Sequence, residues 1–538
     1  MDCQDFENAA EKLVHYIIEY RTGANKRQFN VLPDMNMIKP GYLYNILPNK
    51  APESSEQFDE ILKDVIMKIM PGVTHWQHPG FHAFYPTCTS YPTMLGDLLA
   101  SAIGCVGFTW LACPACTELE VIIMDWLVHA LNLPNKFLSA TGKGDPTHTG
   151  GGMIELSASM ACAVLTMGLR DRMLRNYIKN PQLLTESDYL TGNGPGSLVD
   201  RMVAYTSDQA HSSVLRAFRI AMINSRVIKS KLHNQCLVFD PDDLRQEIEK
   251  DLMKGFIPLM CVATMGTTSP REFADLYAIR TSKDYNIWFH VDAAYGGIAL
   301  LCPEFRHLSK GIEFADSINI NAHKMMMVSV ESSPLWLSDY RVLTEAFETN
   351  PLYLQHTYKG MPDYRKWSLS LARGFRSLKI WFVLRMYGIN GLREMTRHHA
   401  ELAKEFEKLL LNDGRFQITN CVRFGLVCFQ LKNDNQLTTA LHKELMKKGE
   451  IFLVLGCTET NQESKQRREV EDGEIIENRN ELTKVIFLRF VCIHGATMDD
   501  IKFAYEKISL AATYILDVEG SSHYRSVLPK ISSVTNQF

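Results

Sequence analysis

Residues 286–297 read NIWFHVDAAYGG, an apolar run that breaks into a carboxylate, two alanines and a tyrosine before a pair of glycines. A strand of a parallel sheet reads this way, apolar on both faces, and the break to small and polar residues marks its carboxyl end. Residues 202–214, MVAYTSDQAHSSV, and 258–269, PLMCVATMGTTS, have the same form. Helical patterns alternate with such runs from 83 to 386, which predicts an α/β domain with ligands at the carboxyl ends of its strands.

On the amino-terminal side, Phe6, Ala10, Leu13, Ile17 and Tyr20 recur at helical spacing and predict an amphipathic helix with one apolar face to be covered. FDEILKDVIMKIM (58–70) is a second helical run, stopped by Pro71 and Gly72. Residues 1–82 are too thin to hold a core alone and are expected to dock onto the main body or a second subunit. Beyond 387, GLREMTRHHAELAKEFEKLLLNDG (391–414) reads as a long helix, and FGLVCFQL (424–431) with VIFLRFVC (485–492) as strands of a smaller antiparallel α+β domain, 387–538. A run of mixed charge near 458–482 reads as a solvated loop, and the end of the chain as a disordered tail.

A formal net charge of -4, with 46% hydrophobic and 22% charged residues, is that of an ordinary globular chain and predicts no affinity for nucleic acid or anionic lipid. No apolar run is long enough to span a bilayer, and MDCQDFENAA lacks the order of a signal peptide, so a cytoplasmic protein is expected. Thirteen scattered cysteines fit that compartment as free thiols. Cys113 and Cys116 form a C-x-x-C with no second pair nearby, which reads as structural; the histidines of THWQHPGFHAF, lacking a carboxylate at ligand spacing, read as pocket wall, and no metal is expected.

Three features carry chemistry. Lys324, within NINAHKMM (319–326), is an amine in apolar, amide-bearing surroundings, where a lysine pairs, snorkels or gives up its proton and becomes a nucleophile. Asp292 ends the strand of the opening stretch, a place where a carboxylate needs an arginine or another hydrogen-bond donor. In GGGMIELSASMA (150–161), Ser157, Ala158 and Ser159 stand where a helical pattern begins, a capped start that also suits a phosphate. Together they supply a phosphate cup, a partner for a pyridine nitrogen and a Schiff-base lysine, the set that pyridoxal 5'-phosphate requires. A nicotinamide site is a poorer reading, because GNGPGS (192–197) follows a polar loop rather than a strand.

TSDQAHSS, ATMGTT, WFHVDAAY, NAHK, GVTHWQHPGFHAFYPT, PACTELE, DYRKW and FRSLKIWFVLRMYG resemble the pyridoxal-phosphate-dependent group II amino acid decarboxylases, and within them the animal aromatic-amino-acid branch, over residues 5–515. The resemblance implies fold type I, with a mainly parallel seven-stranded sheet in the large domain, and a homodimer with active sites at the subunit interface, the amino-terminal segment packing across it. It implies Lys324 as the Schiff-base lysine and Asp292 as the pyridinium partner, with Ala158, Ser159, Thr267, Asn321 and His323 around the cofactor and His211 stacked on its ring. Tyr353 is implied as the general acid on a loop reaching the neighbouring subunit, and Thr87, Trp76, Phe84, Tyr85, Phe108 and Ala372 as the substrate wall. The implied reaction is decarboxylation of dopa, 5-hydroxytryptophan, tyrosine or histidine to the amine, with His211 and Tyr353 favouring amine over aldehyde. The alternatives are an oxidative aromatic acetaldehyde synthase and a non-catalytic relative. Leu156, Met160, Ala322, Met325 and Gly374 depart from the family pattern around the cofactor, and Ala372 does not choose among the four substrates.

Overall fold

A computed structural model describes residues 1–180, 194–233, 236–266, 281–349, 352, 360–419, 421–432, 434–461 and 482–519. The chain divides into two compact units, the first made of Met1–Pro86 with Ala400–Phe538 and the second of Thr87–His399. The amino-terminal segment thus groups with the carboxy-terminal region instead of standing as a third body, and the division falls at Thr87 and His399 rather than at 83 and 386.

The second unit carries a seven-stranded sheet: β1 (Gly151–Glu155), β2 (Met202–Ser207), β3 (Asn224–Ile228), β4 (Ile257–Thr264), β5 (Trp288–Asp292), β6 (Ser317–Asn319) and β7 (Ser333–Leu337), in spatial order β1-β7-β6-β5-β4-β2-β3. Neighbours from β6 across to β3 are parallel, and β7 alone runs against both of its neighbours. Since β7 reverses, β1 is parallel to the rest, and its carboxyl end opens on the same edge as those of β2, β4 and β5. Every residue of β1 and β2 is buried, the consequence of helices packing on the sheet. Among these helices are α3 (Pro114–Ala130), α4 (Ala158–Lys179) and α5 (Ser212–Ile220), which follow α1 (Cys3–Asn25) and α2 (Tyr91–Ile103) in the chain. Val164, Leu165, Val214 and Phe218 of α4 and α5 meet Met260 and Val262 of β4 in one core.

β1 is an edge strand, and its Ile154 lies opposite Pro334, whose backbone carbonyl turns away from it to accept the Ile320 N–H at 3.0 Å. Ile154 satisfies its backbone on its other side: Glu120 of α3 accepts its N–H at 2.7 Å, while Arg376 and Arg373 donate to its carbonyl at 3.0 and 3.3 Å. Glu120 and Arg373 are both buried and pair with each other.

In the first unit, α1 is closed at its start by a capping box between Asp2 and Asp5. Its apolar face is present but open, with Phe6 57% and Leu13 42% exposed. The long helix α6 (Arg376–Asp413) leaves helical geometry at Gly388, where φ is 64° and ψ 172°. It leads into an antiparallel sheet of β8 (Phe416–Ile418), β9 (Leu426–Leu431), β10 (Val454–Asn461) and β11 (Leu482–Val491), in order β8-β9-β11-β10, and α7 (Met498–Glu519) completes the core around Phe406, Phe429 and Phe490. The mixed-charge run begins within β10 rather than in a loop; residues 462–481 and 520–538, where a loop and a tail were expected, lie outside the described residues. His78 and His82 are buried in this unit rather than lining a pocket: the His82 ring stacks on Phe490 at 3.9 Å and bonds the Val491 carbonyl at 3.0 Å.

Candidate active site

β5 delivers Asp292 to the carboxyl edge of the sheet, 6% exposed. The strand is not apolar on both faces, as its sequence suggested: His290 shares the Asp292 face, two residues earlier, and is fully buried. Among the described residues no arginine pairs with Asp292. Its Oδ1 accepts the Ala294 N–H at 3.1 Å and the Asn319 amide at 3.2 Å, and no described donor reaches Oδ2. Cys162 faces it from α4, and burial together with the Asp292 charge pushes that thiol up to about 12.

Lys324 arrives by the next strand. The pairing of Asp292 with Asn319 continues beyond the sheet, with Ala293 N–H bonded to the Asn319 carbonyl at 3.0 Å and Asn321 N–H to that of Ala294 at 3.1 Å. The chain then makes one helical turn, Ala322–Met325, which carries His323 and Lys324. The stretch after Thr87 lies along this turn: Cys88 donates its N–H to the His323 carbonyl at 2.8 Å and its thiol to that of Lys324 at 2.9 Å. Burial, with the Lys324 charge beside it, lowers His323 to about 4, so its ring is neutral. That ring hydrogen-bonds the Ser332 backbone, while Nδ1 is buried without a partner among the described residues.

The third component is the start of α4. Ser157 caps the helix, its Oγ accepting the Met160 N–H at 3.2 Å, so the departure at Met160 leaves the helix capped. Ala158 donates its N–H to Asn321 Oδ1 at 3.2 Å, which ties the helix start to the lysine turn; Asn321 Oδ1 also takes the Ser333 hydroxyl at 2.6 Å. The hydroxyl and N–H of the half-buried Ser159 find no acceptor within the described residues. The preceding glycines answer to packing: a Cβ on Gly150 would stand 2.0 Å from the Lys136 carbonyl, and one on Gly152 would strike Met124 and Trp336.

His211 caps α5 just past the end of β2, with Nδ1 2.8 Å from Ser213 Oγ and accepting the Ser213 N–H at 3.2 Å. Phe108 is fixed by its backbone, its carbonyl accepting the Arg365 N–H at 3.0 Å, and Gly107 bonds the carbonyl of Arg373, the residue after Ala372. Trp76, Phe84 and Tyr85 belong to the first unit, where Trp76 and Phe84 stack at 5.7 Å and the Arg489 guanidinium lies 4.9 Å from the Tyr85 ring. Phe84 takes a left-handed backbone, φ 56°. Thr267 and Tyr353 lie outside the described residues.

A buried anion with one oxygen open, an amine on the adjoining turn, an orphaned imidazole nitrogen and an uncommitted Ser159 in a capped helix start together suit an α/β enzyme that carries an aldehyde cofactor with a phosphate tail. The model of the pyridoxal-dependent decarboxylase conserved domain matches residues 40–432. An aromatic-L-amino-acid decarboxylase of Drosophila melanogaster is 39% identical over 515 residues, 95% of this chain and 92% of that protein. Among solved structures, Oryza sativa TDC with PLP and tryptamine superposes with a TM-score of 0.82 at 32% identity, over 96% of this chain and 99% of that one. Rhodiola rosea 4-hydroxyphenylacetaldehyde synthase does so with a TM-score of 0.80 at 31% identity, over the same shares. The chain belongs to the pyridoxal-dependent decarboxylase family, and its cofactor is pyridoxal 5'-phosphate. Sequence reasoning missed His290, Ser317, Asn319 and the Glu120–Arg373 pair. For the first three a signal existed, polar residues two apart on strands otherwise apolar.

Proposed function

We propose that the protein decarboxylates an aromatic L-amino acid, one of dopa, 5-hydroxytryptophan, tyrosine or histidine, to the corresponding amine and carbon dioxide. The observation that carries this reading is the hydrogen-bonded run Asp292–Asn319 with Asn321–Ala158, which ties the buried anion, the lysine turn and the helix start to one edge of the sheet. The 39% identity to a decarboxylase of that specificity supports the substrate class.

Bound pyridoxal phosphate supplies an electron sink for the pair left when carbon dioxide departs. The chain's own residues do the rest. Lys324 is the amine that anchors the aldehyde; Asp292, with Oδ1 saturated, holds a proton at the ring nitrogen through Oδ2. Ser159 and the α4 start hold the phosphate, and His323 Nδ1 takes a polar atom of the cofactor. His211, set by Ser213, flanks the ring, and Tyr353 returns a proton to the α-carbon. Thr87, beside the lysine turn, and Phe108 touch the substrate.

The reading includes a homodimer. Along α2, Tyr91, Leu95, Leu98, Leu99 and Ile103 are each at least 44% exposed, an apolar stripe that a second copy would cover, as it would the open face of α1. The reading also includes a cytoplasmic setting, in keeping with twelve scattered cysteines that stand as free thiols. No helix among the described residues is long and apolar enough to cross a membrane.

Product analysis of the purified holoenzyme with the four amino acids tests the reading. Amine and carbon dioxide in equal amounts are expected; aldehyde, ammonia and peroxide would instead indicate the oxidative alternative. Borohydride reduction followed by peptide mapping should label Lys324, and an unlabelled Lys324 would remove the proposed catalyst.

A further inference from the structure

β5 and β6 place His290 beside Ser317 and Asp292 beside Asn319, so the two strands present a double row of polar side chains on one buried face. His290, Ser317 and Asn319 are fully buried. Their contacts form a single file: Trp288 Nε1 lies 2.8 Å from Ser317 Oγ, which lies 2.8 Å from His290 Nδ1. His290 Nε2 lies 2.9 Å from Asn319 Oδ1, and Asn319 Nδ2 lies 3.2 Å from Asp292 Oδ1.

The direction of every proton in this file follows from which atoms can donate. An indole nitrogen only donates, so Ser317 Oγ accepts from Trp288. The far end is a carboxylate, so Asn319 turns its NH2 to Asp292 and its oxygen to His290; the opposite amide orientation would set two acceptors against each other. His290 Nε2 therefore carries a hydrogen. Burial lowers the basicity of this imidazole, which keeps the ring neutral and Nδ1 bare, so the Ser317 hydroxyl donates to Nδ1. All four hydrogen bonds then point toward Asp292, and each polarises the next.

We propose that His290 is a positioning residue for the cofactor: acting through Asn319, it stabilises the Asp292 carboxylate and fixes Oδ1, so that Oδ2 is left to the pyridine nitrogen. This rests on the reading of Asp292 as the partner of that nitrogen. A buried carboxylate with no cation beside it needs such donors, and here they come from strand side chains as well as from the Ala294 N–H. The file ends at one atom of the cofactor, so its effect must be specific to that atom.

The test is the affinity of the apoprotein for pyridoxal phosphate against its affinity for the carbocyclic analogue in which C–H replaces the ring nitrogen, followed by fluorescence and absorbance. His290→Phe should weaken pyridoxal phosphate by about tenfold or more, the loss expected when a hydrogen bond to a charged group is disturbed, and leave the analogue nearly unchanged. Ser317→Ala removes the hydroxyl that orients the imidazole without a large change of volume, and should show the same selectivity at about threefold. It carries the test if His290→Phe does not fold by circular dichroism. Equal losses for both ligands, or no loss for either, would overturn the proposal, since a merely structural histidine cannot distinguish nitrogen from carbon at the far side of Asp292. Failure of borohydride to label Lys324 in the unmodified protein would instead strike the site reading itself and take the role of His290 with it.

Discussion

Asn321 does the work of a joint. One oxygen receives the first N–H of α4 and the Ser333 hydroxyl, and its backbone N–H is spent on Ala294, so the side chain couples the phosphate end of the site to the lysine end. Asn321→Leu strands the part-buried N–H of Ala158 and leaves the Ser333 hydroxyl only the Ile320 carbonyl, at a cost of about 1 kcal/mol. Thermal unfolding should register that cost, and cofactor dissociation should quicken because the helix start loses its tether. Lys324, Asp292 and Ser159 of the proposed site stand out in the sequence because each is a residue type at odds with its neighbours: an amine or carboxylate among apolar residues, a hydroxyl at a helix start. His290 and Asn319 stood out only as polar residues inside strands and their role was not legible, since such a residue is explained only by its cross-strand partner, and that partner stands some thirty residues along the chain.

Among the elements, the outer edge of β1 depends on one buried ion pair. Arg373→Met leaves Glu120 charged and unpaired inside the protein, a loss of about 3–5 kcal/mol that should appear as a lower denaturant midpoint. Replacing both, Glu120→Leu with Arg373→Met, should cost less than the single change, and a double-mutant cycle on the same midpoints checks it. The strands leading to Ser207, Thr264 and Asp292 could be read from their apolar runs, as could the start of α4. The reversal at β7 could not: SPLWL carries no mark of direction, and the proline that argues against an inner strand is accommodated because the Ile320 carbonyl, on the side where Pro334 has no N–H, takes the Ser333 hydroxyl at 3.0 Å.

For the whole molecule, burial holds His78, His82, His323 and His494 at about 4, against 6.5 for an ordinary histidine. In each case burial is the largest cause; for His494 the Arg21 charge adds to it. These rings are neutral in the fold, whereas the unfolded chain takes up protons below about 6.5. Their contribution to stability is therefore complete above that pH and is lost as the pH falls toward about 4, so the urea midpoint should drop between pH 7.5 and pH 5. The proposed dimer gives a second expectation at this scale: Leu95→Glu with Leu98→Glu should halve the mass seen by sedimentation and leave the circular dichroism unchanged. The grouping of the amino-terminal segment with the carboxy-terminal region was not legible, because contacts between distant stretches of chain leave no local pattern.

The pairing of β1 with β7 also bears on how the protein is made. Residues 151–155 find their strand partner only in 333–337, so a chain still on the ribosome cannot pair β1 until the later strand has emerged. On the proposed reading, in which Ser159 at the start of α4 meets the phosphate, vitamin capture waits for that pairing, and a translation product ending before residue 333 should hold the vitamin more weakly than the full chain.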